Sequence, residues 1–473
     1  MIIDIENFGD HLKASYFNEE GHTSILELPV PREQQFVWKK AEAKDRQKDP
    51  VWKSWDGTPV KKFYGRSYDK FRIVQLLDEM PAELTAPLWE YREPVKYFVD
   101  IEVQITDNKV DSLDVENARN KIISIAIATS GGKIIAMGID PLASDKIRRI
   151  EDRINAHFDK LREKYPLDWT FNYIPYETEF DMLYTFMSKY VPKMSLMTGW
   201  NFLGYDWPYI IGRCRNLGID PKIASPTSSV HHKTNMPKHV LIVDYLEIYK
   251  KWDRVVKLKE SNSLDYVANA ALGIKKIVYE KTLKDLYESD FETFILYNAI
   301  DSAILHYVDK RLSTMSTFFK IAYLSKVEIN RALSPVWTTE VMMLRKLNER
   351  KQVIVDERKD MGEVRKFEGA YVKVPQIGMH EWIACFDFAS LYPSIMRQFK
   401  ISPEVYKGKD LRFVPEHGIK TASGAVFLNS PEAPPILPGI IEDLYSRRKA
   451  VKKQYMSCVS EIEELSKKLR EFD

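Results

Sequence analysis

Short apolar segments with strand character alternate with helical patterns over residues 95–310, and this alternation most restricts the possible fold. The first such segment is Val95-Lys-Tyr-Phe-Val-Asp-Ile-Glu-Val103. Further segments of this kind begin at Lys121, Lys133, Ser195 and Val240. The first two of these are joined by Ser130-Gly-Gly132, a signal typical of a hairpin. The sequence therefore predicts an α/β fold class, with a mixed sheet covered by helices.

The composition is that of a soluble globular chain, and it limits the classes of function. Hydrophobic residues make up 44% and charged residues 29% of the 473 residues, which allows several domains with their own cores. The net charge is only +2, so a surface that binds nucleic acid must be local. The three cysteines are far apart in sequence, which argues against a disulfide framework or a zinc site. Without a signal-peptide pattern or an apolar run of about 18 residues, we expect a cytoplasmic protein that does not bind membranes.

Acidic residues at three places in the 95–310 segment form a candidate metal site. Asp100 and Glu102 are two residues apart on a predicted strand, so their side chains share one face of it. Asp301 follows Tyr297 by four residues on a predicted helix, so the phenol and the carboxylate also share one face. Together with Asp206, these acids could hold two Mg²⁺ ions that activate water and stabilise the leaving oxygen in phosphoryl transfer.

The order and spacing of these residues resemble the three exonuclease motifs of the proofreading domain in family B DNA polymerases. The resemblance implies an RNase H-like domain with Mg²⁺-dependent 3′→5′ exonuclease activity. It also implies that two Mg²⁺ ions are bound by Asp100, Glu102, Asp206 and Asp301, and that Tyr297 assists the attacking water. The pair His231-His232 has no flanking acids, so we expect a polar loop there and no metal site.

A second candidate site lies in the string Asp387-Phe-Ala-Ser-Leu-Tyr-Pro-Ser-Ile395. The apolar run Ile383-Ala-Cys-Phe386 before it predicts a strand, and Pro393 suits the first turn of a following helix. Asp387 would then lie at a strand end, where a tight turn directs backbone N–H groups at phosphates. Tyr392 would lie beneath a sugar ring and exclude a 2′-hydroxyl group sterically.

This string resembles motif A of family B DNA polymerases and, with Phe399-Lys-Ile-Ser-Pro-Glu404, is most similar to the replicative enzymes of tailed bacteriophages. The resemblance implies that Asp387 and the carbonyl of Phe388 bind metal, with two Mg²⁺ ions at the completed polymerase site. It further implies that a dNTP is bound by backbone donors of Ser390 and Leu391 and that Tyr392 is the steric gate. Upstream, Phe367-Glu-Gly-Ala-Tyr371 resembles a segment that contacts primer–template DNA in the family.

Two segments of the family, KxxxNSxYG and DTDS, are not found in this sequence. They supply a lysine for the incoming triphosphate and the second metal-binding aspartate. Asp387 alone cannot anchor two Mg²⁺ ions beside a triphosphate. We therefore expect half of a polymerase site and a partner, a second polypeptide that carries the rest of the fingers, palm and thumb. Whether the protein is naturally split or its sequence is truncated stays open.

The residues after Gly439 predict one long helix with an apolar stripe. Once Arg448 is counted, its members alternate in spacing between three and four residues: Ile441, Leu444, Val451, Tyr455, Cys458, Ile462, Leu465, Leu469 and Phe472. Arg448 continues the stripe, and Lys452 follows one turn later. The resemblance of this helix to the first fingers helix of the family implies that Arg448 and Lys452 bind the triphosphate of the dNTP. Arg447 is the alternative to Arg448. A solvated basic face or a homodimeric coiled coil are the other interpretations of this helix.

The resemblance divides the chain into four parts and leads to three hypotheses of function. We expect an N-terminal domain over 1–95 with a return segment at about 314–356, the exonuclease domain over 96–313, a partial palm over 357–437 and the first fingers helix over 438–473. The leading hypothesis is the N-terminal portion of a replicative polymerase that acts on primer–template and single-stranded DNA, in the host-cell cytoplasm if viral. The alternatives are a stand-alone 3′→5′ exonuclease and a non-catalytic DNA-binding assembly subunit.

Overall fold

The computed structural model describes residues 1–65, 67–105, 114–253, 256, 260–277, 283–355, 369 and 371–472. The chain divides into two compact units. The first unit comprises residues 1–35, 65–68 and 76–341, and the second comprises residues 36–64, 69–75 and 342–473. The four domain boundaries expected from the sequence stay predictions.

Strands and helices alternate through much of the chain. The strands are β1 (Ile2–Asn7), β2 (His11–Phe17), β3 (Thr23–Pro29), β4 (Phe36–Lys40), β5 (Lys53–Ser54), β6 (Val60–Tyr64), β7 (Lys96–Val103), β8 (Ile122–Thr129), β9 (Lys133–Gly138), β10 (Thr170–Pro175), β11 (Leu196–Gly199), β12 (Leu241–Asp244), β13 (Gln352–Val353), β14 (Tyr406–Lys409), β15 (Gly418–Lys420) and β16 (Ala425–Leu428). The helices are α1 (Lys70–Glu79), α2 (Ala82–Trp89), α3 (Ser144–His157), α4 (Asp159–Arg162), α5 (Glu179–Thr185), α6 (Asp206–Leu217), α7 (Tyr245–Trp252), α8 (Leu264–Leu272), α9 (Leu283–Ser289), α10 (Phe291–Leu312), α11 (Thr314–Ser325), α12 (Pro335–Glu349), α13 (Leu391–Gln398) and α14 (Ile436–Phe472). This arrangement confirms the α/β fold class. None of the described helices combines the length and the apolar character needed to span a bilayer.

A six-stranded mixed sheet organises the first unit, in the order β10-β9-β8-β7-β11-β12. Strand β7 pairs antiparallel with β8 on one side and parallel with β11 on the other. The predicted hairpin at residues 130–132 is confirmed, because β8 and β9 are antiparallel neighbours. Strand β7 is therefore an interior strand, bonded to β8 over most of its length and to β11 over Lys96–Phe98.

The two faces of β7 have different neighbours. Val99, Ile101 and Val103 belong to a large core cluster that also includes residues of α5 and α6. On the opposite face, the ring of Phe98 makes an edge contact with His306 of α10 at a centroid distance of 6.3 Å. Because side chains alternate along a strand, Asp100 and Glu102 share the face of Phe98 and point towards α10.

The N-terminal sheet of the first unit consists of β1, β2 and β3, paired antiparallel in that order. Glu6 of β1 accepts hydrogen bonds from the Ser229 hydroxyl at 2.6 Å and from Lys238 Nζ at 2.9 Å. These two residues flank a turn that is closed by a bridge between Val230 and Pro237. The pair His231-His232 lies in this turn.

The second unit contains small sheets and two helices that pack on each other. Strands β4 and β6 are antiparallel, and β14, β16 and β15 form a three-stranded antiparallel sheet. Helix α13 contacts α14 through an ion pair between Arg397 and Glu442. The Arg397 guanidinium also lies over the ring of Tyr445, 5.1 Å from its centroid.

The predicted strand that leads into Asp387 is wrong. Residues 371–390 form neither strand nor helix, and the side chains of Ile383 and Phe386 are 76% and 92% exposed. A strand is stable only where a neighbouring strand supplies its ladder of hydrogen bonds, and none of the described residues does so here. The helix predicted after this segment is confirmed as α13, with Pro393 in its first turn. Of the segment 367–371, three residues lie outside the described part of the chain.

We expect the buried ion pair between Arg213 and Glu179 to stabilise the first unit. Both side chains are buried, and the Glu179 carboxylate also accepts the backbone N–H of Ile122 at 2.8 Å. The substitution Arg213→Met leaves a buried carboxylate without its cation and should lower the free energy of unfolding by about 3–5 kcal/mol. Urea unfolding followed by tryptophan fluorescence measures this decrease. The exposed Arg215, changed to Met, is the matched control, and an equal decrease in the two variants would contradict the prediction.

Candidate functional site

A cluster of three carboxylates lies between β7 and α10. One oxygen atom each of Asp100, Glu102 and Asp301 lies within 4.8 Å of the other two. The first two residues come from the face of β7 that points towards α10, and the third comes from the middle of that helix. The cluster thus arises from strand alternation and helical spacing acting on two elements that pack directly together.

Asp206 lies next to this cluster but outside the group of three. It is the first residue of α6, it is buried, and its Oδ1 accepts the backbone N–H of Ile101 at 3.2 Å. The turn that delivers it begins at Gly199, where a Cβ atom would lie only 2.5 Å from the carbonyl oxygen of Val99. Asp244, at the end of the neighbouring strand β12, accepts the N–H of Leu203 at 3.0 Å and so fixes the same turn.

Lys276 is a residue of this site that the sequence interpretation missed. Its ammonium forms an ion pair with Asp301 and lies 3.4 Å from the hydroxyl of Tyr297. Burial disfavours its charged form, but the carboxylates of Asp301 and Asp100 outweigh burial and raise the pKa of Lys276. Lys276 follows α8 in a loop, so no local sequence pattern connects it with the acids.

Asn298 and Ser124 are also part of the site and were not predicted. Asn298 Nδ2 donates a hydrogen bond to Asp100 Oδ2 at 2.7 Å, and Ser124 Oγ donates to Asn298 Oδ1 at 2.7 Å. Both side chains are fully buried. This chain of hydrogen bonds fixes the orientation of the Asp100 carboxylate. Helical spacing could have revealed Asn298, which lies three residues before Asp301 and therefore on nearly the same face.

Burial and mutual repulsion make ionisation of these acids unfavourable. Burial, followed by the charge of Asp301, raises the pKa of Asp100 to about 7. Burial and the charge of Asp100 raise the pKa values of Glu102 and Asp206 well above their ordinary values. Burial also raises the pKa of Asp301, although Lys276 opposes that rise. Such a cluster has more negative charge than its protein partners compensate.

The donor set fits a divalent cation that prefers oxygen ligands. Three carboxylates converge, and Asp301 Oδ1 is buried with no hydrogen-bond partner among the described residues. Carboxylate oxygens are the protein ligands that Mg²⁺ prefers. A cation bound here would stabilise the ionised carboxylates, which burial and mutual repulsion disfavour.

The residues predicted for the polymerase site lie in the second unit and do not form a comparable cluster in the described chain. Asp387 and Phe388 belong to the exposed segment 371–390. Ser390 precedes α13 with a left-handed backbone, at φ 53° and ψ 53°, and Leu391 begins the helix. The ring of Tyr392 is 73% exposed.

The predicted triphosphate-binding residues lie on α14. Arg447 forms an ion pair with Asp443, one turn earlier, at 2.9 Å. Arg448 and Lys452 are exposed and form no ion pair within the described part of the chain. The apolar stripe of this helix is exposed as well, with Leu444, Val451 and other members more than half accessible to solvent.

Comparison with known proteins identifies two segments of this chain. Residues 93–267 match the sequence model of the exonuclease domain of DNA polymerase family B, and residues 334–468 match the model of DNA polymerase family B. The first segment includes Asp100, Glu102 and Asp206, and the second includes Asp387, Arg448 and Lys452.

Individual proteins with similar sequences are also DNA polymerases. The chain is 29% identical to the DNA-directed DNA polymerase of Escherichia phage RB69 over 50% of its own length and 27% of that protein. It is 30% identical to the corresponding enzyme of Enterobacteria phage T4 over the same shares of the two chains. It is 29% identical to the DNA polymerase delta catalytic subunit of Glycine max over 59% of its length and 28% of that subunit. The matches thus span little more than a quarter of the length of these relatives.

We expect Asn298 to increase the affinity of the acid cluster for divalent cations. The substitution Asn298→Ala removes the donor that holds Asp100, and removal of such a supporting partner typically weakens metal binding about 10–100-fold. Titration calorimetry with Mn²⁺ measures the change. The control is Ser302→Ala on the same helix, because Ser302 is equally buried and donates to the Ala126 carbonyl at 3.2 Å. Equal affinities of the two variants would refute the role of Asn298.

We also expect Asp100 to make the metal-free protein less stable as the pH rises from about 4 to about 7. Because its pKa is raised from 3.8 to about 7, the folded protein retains a proton that the unfolded chain releases. The free energy of unfolding in EDTA should therefore fall relative to that of Asp100→Asn, by on the order of 1 kcal/mol per pH unit. Excess Mg²⁺ should reverse the difference near neutral pH. Parallel pH profiles of the two proteins would contradict this, and Asp159→Asn controls for removal of an exposed acid.

Proposed function

Since the chain belongs to DNA polymerase family B, we propose that it removes nucleotides from the 3′ end of DNA by Mg²⁺-dependent hydrolysis. The observation that carries this proposal is the convergence of Asp100, Glu102 and Asp301 within 4.8 Å. In this reaction a water oxygen bonds to the terminal phosphorus, and the bond from phosphorus to O3′ breaks. The products are a nucleoside monophosphate and a shortened strand with a new 3′-hydroxyl group.

The residues of the site have distinct roles in the proposed reaction. Two Mg²⁺ ions, held by Asp100, Glu102, Asp206 and Asp301, would lower the barrier to attack by water and neutralise charge on the leaving oxygen. The hydroxyl of Tyr297 would form a hydrogen bond with the attacking water and orient it. Lys276 balances the carboxylate charge, and Asn298 holds Asp100 in a single orientation.

We propose further that the second unit supplies part of a DNA polymerase site. Asp387 and the carbonyl of Phe388 would bind metal, and the start of α13 with Tyr392 would contact the dNTP. Arg448 and Lys452 would bind its triphosphate. The ion pair of Arg447 with Asp443 supports Arg448 as the arginine involved, because Arg448 forms no ion pair with the described residues and can meet a ligand.

The exposed apolar surface of the second unit supports the need for further polypeptide at the polymerase site. Residues 371–390 and the stripe on α14 expose many large apolar side chains. Surfaces of this kind normally mark contact sites. We propose that they are covered by the remaining fingers, palm and thumb segments, on a second polypeptide, and that primer–template DNA binds only to the complete assembly. From its similarity to phage polymerases we propose the host-cell cytoplasm as its location.

A stand-alone exonuclease is the second candidate function. The observation in its favour is that the described residues bring together one group of acids that could hold a metal ion, the group at β7 and α10, while Asp387 lies in an exposed segment. Both candidate functions include hydrolysis from the 3′ end of DNA. They differ only in whether the second unit takes part in DNA synthesis.

Degradation of labelled DNA tests the exonuclease proposal. With Mg²⁺ and a 5′-labelled single strand, the purified chain should shorten the strand from its 3′ end. Asp100→Ala combined with Glu102→Ala should slow the reaction about a hundredfold or more, because metal binding contributes several kcal/mol to the barrier. The exposed pair Asp159→Ala plus Glu163→Ala is the matched control. Degradation that survives the replacement of Asp100 and Glu102 would refute the proposal.

Primer extension in the same reaction separates the two candidates. With primer–template DNA and dNTPs, the chain alone should give no extension. Extension should appear when a polypeptide carrying the remaining polymerase segments is added, and it should require Arg448 and Lys452. Robust extension by the chain alone would refute the need for a partner, while no extension with the added polypeptide would favour the stand-alone exonuclease.

A further inference from the structure

A turn in the first unit, residues 229–238, contacts both the N-terminal sheet and helix α6. Its base is closed by the bridge between Val230 and Pro237. Inside it, the backbone N–H of His231 donates to the carbonyl oxygen of Met236 at 2.8 Å. We call residues 229–238 the 229–238 turn. Because it is bonded to itself and to two other elements, it connects the position of one element with that of the other.

A single carboxylate fastens the base of the 229–238 turn to β1. Glu6 accepts hydrogen bonds from Ser229 at one end of the turn and from Lys238 at the other end. The side chains of Glu6 and Lys238 are 17% and 27% exposed, so solvent screens their ion pair only in part. Loss of the Glu6 carboxylate would therefore release both ends of the turn at once.

The far part of the 229–238 turn is bonded to the start of α6. Trp207 Nε1 donates to the carbonyl oxygen of Thr234 at 3.0 Å, and the Trp207 side chain is only 1% exposed. Met236 of the same turn packs against the core cluster that contains Trp207. A buried indole N–H that lost its acceptor would be unfavourable, so this hydrogen bond holds the turn and the helix together.

Trp207 directly follows Asp206, the first residue of α6. The N–H groups in the first turn of a helix have no acceptor within that helix, and the preceding Tyr205 does not cap α6 with its side chain. The placement of Asp206 therefore depends on contacts from outside the helix, such as the one made by Trp207. The Asp206 carboxylate in turn accepts the backbone N–H of Ile101. This amide reports where the carboxylate lies.

We infer that Trp207 and Glu6 are positioning residues for Asp206 and that the 229–238 turn links them. Glu6 holds the turn, the Thr234 carbonyl holds Trp207, and Trp207 holds the start of α6 with Asp206 directed at β7. The effect on metal binding rests on the proposed function, whereas the placement of Asp206 does not. The N-terminal sheet thus supports a metal site to which it contributes no ligand.

Hydrogen exchange of the Ile101 amide in the metal-free protein tests the placement of Asp206. Trp207→Phe keeps an aromatic ring but removes the donor to Thr234, so Asp206 should leave the Ile101 N–H more often. Relative to the β7 amides bonded to β8, this amide should exchange about threefold to tenfold faster, as expected for the loss of one hydrogen bond. Mass spectrometry with fragmentation to single amides measures the ratio.

Three further variants complete this experiment. Trp169→Phe is the matched control for the indole, because Trp169 is also 1% exposed and its Nε1 donates to the Tyr307 hydroxyl at 3.1 Å. It should leave the exchange ratio unchanged. Glu6→Ala leaves the core intact and should raise the ratio as well. Glu27→Ala, which removes an ion pair with Lys13 at 2.9 Å in the same N-terminal sheet, should not.

Calorimetric titration with Mn²⁺ tests whether this placement affects metal binding. Trp207→Phe and Glu6→Ala should weaken binding about tenfold, because a metal ligand loses affinity when its supporting partner is removed. Trp169→Phe and Glu27→Ala should bind Mn²⁺ like the parent. In the degradation assay, the Mg²⁺ concentration for half-maximal rate should rise in the first two variants by more than their maximal rate falls.

Two results would overturn the inference. The first is an equal exchange ratio of the Ile101 amide in the Trp207→Phe and Trp169→Phe variants, which would leave the indole a purely structural role. The second is parent-like Mn²⁺ affinity in both Trp207→Phe and Glu6→Ala. A parent chain that binds no Mn²⁺ would instead refute the proposed function, and the exchange ratio would still decide the placement of Asp206.

Discussion

The repulsion among carboxylates that β7 and α10 force together is the constraint on which the functional part of this molecule depends. Asp100, Glu102 and Asp301 are held within 4.8 Å by two elements that pack through a buried core. Within the described chain, Lys276 is the one cation that forms an ion pair with the cluster. One ammonium cannot compensate three ionised carboxylates, so the metal-free site retains protons, which a divalent cation would displace. The supporting hydrogen bonds of Asn298 and Ser124 keep Asp100 from turning away.

The sequence predicted the parts of this site that depend on local periodicity. Alternation on one strand placed Asp100 beside Glu102, and the spacing of four on one helix placed Tyr297 beside Asp301. The resemblance to family B polymerases added the RNase H-like expectation, and the family matches confirm that resemblance. Lys276 could not be predicted in this way, because it reaches the acids from a loop through tertiary packing alone. Ser124 lies on the neighbouring strand β8. Its place in the site could not be predicted, because it depends on the register in which β7 and β8 pair.

The second unit shows where local pattern fails. The run before Asp387 has the composition of a strand, yet residues 371–390 have no strand because the described chain offers no neighbouring ladder. Strand formation depends on a partner, whereas α13 and α14 close their hydrogen bonds within themselves. Both helices were therefore predictable from sequence. The apolar stripe on α14 was predicted accurately because it depends only on helical periodicity. What covers the stripe is a proposal, since periodicity does not identify a partner.

The interior position of β7 has a consequence for the order in which the molecule loses structure. To release Asp100 and Glu102, the chain must break the antiparallel ladder to β8, while the parallel ladder to β11 holds the start of the same strand at Lys96–Phe98. Amide hydrogens along this strand should consequently exchange with solvent only through large-scale opening of the first unit. The acid cluster then survives fraying of the peripheral sheets, and its geometry disappears only when the unit as a whole unfolds. The strand that holds two of the four acids is therefore expected to be among the most slowly exchanging parts of the backbone.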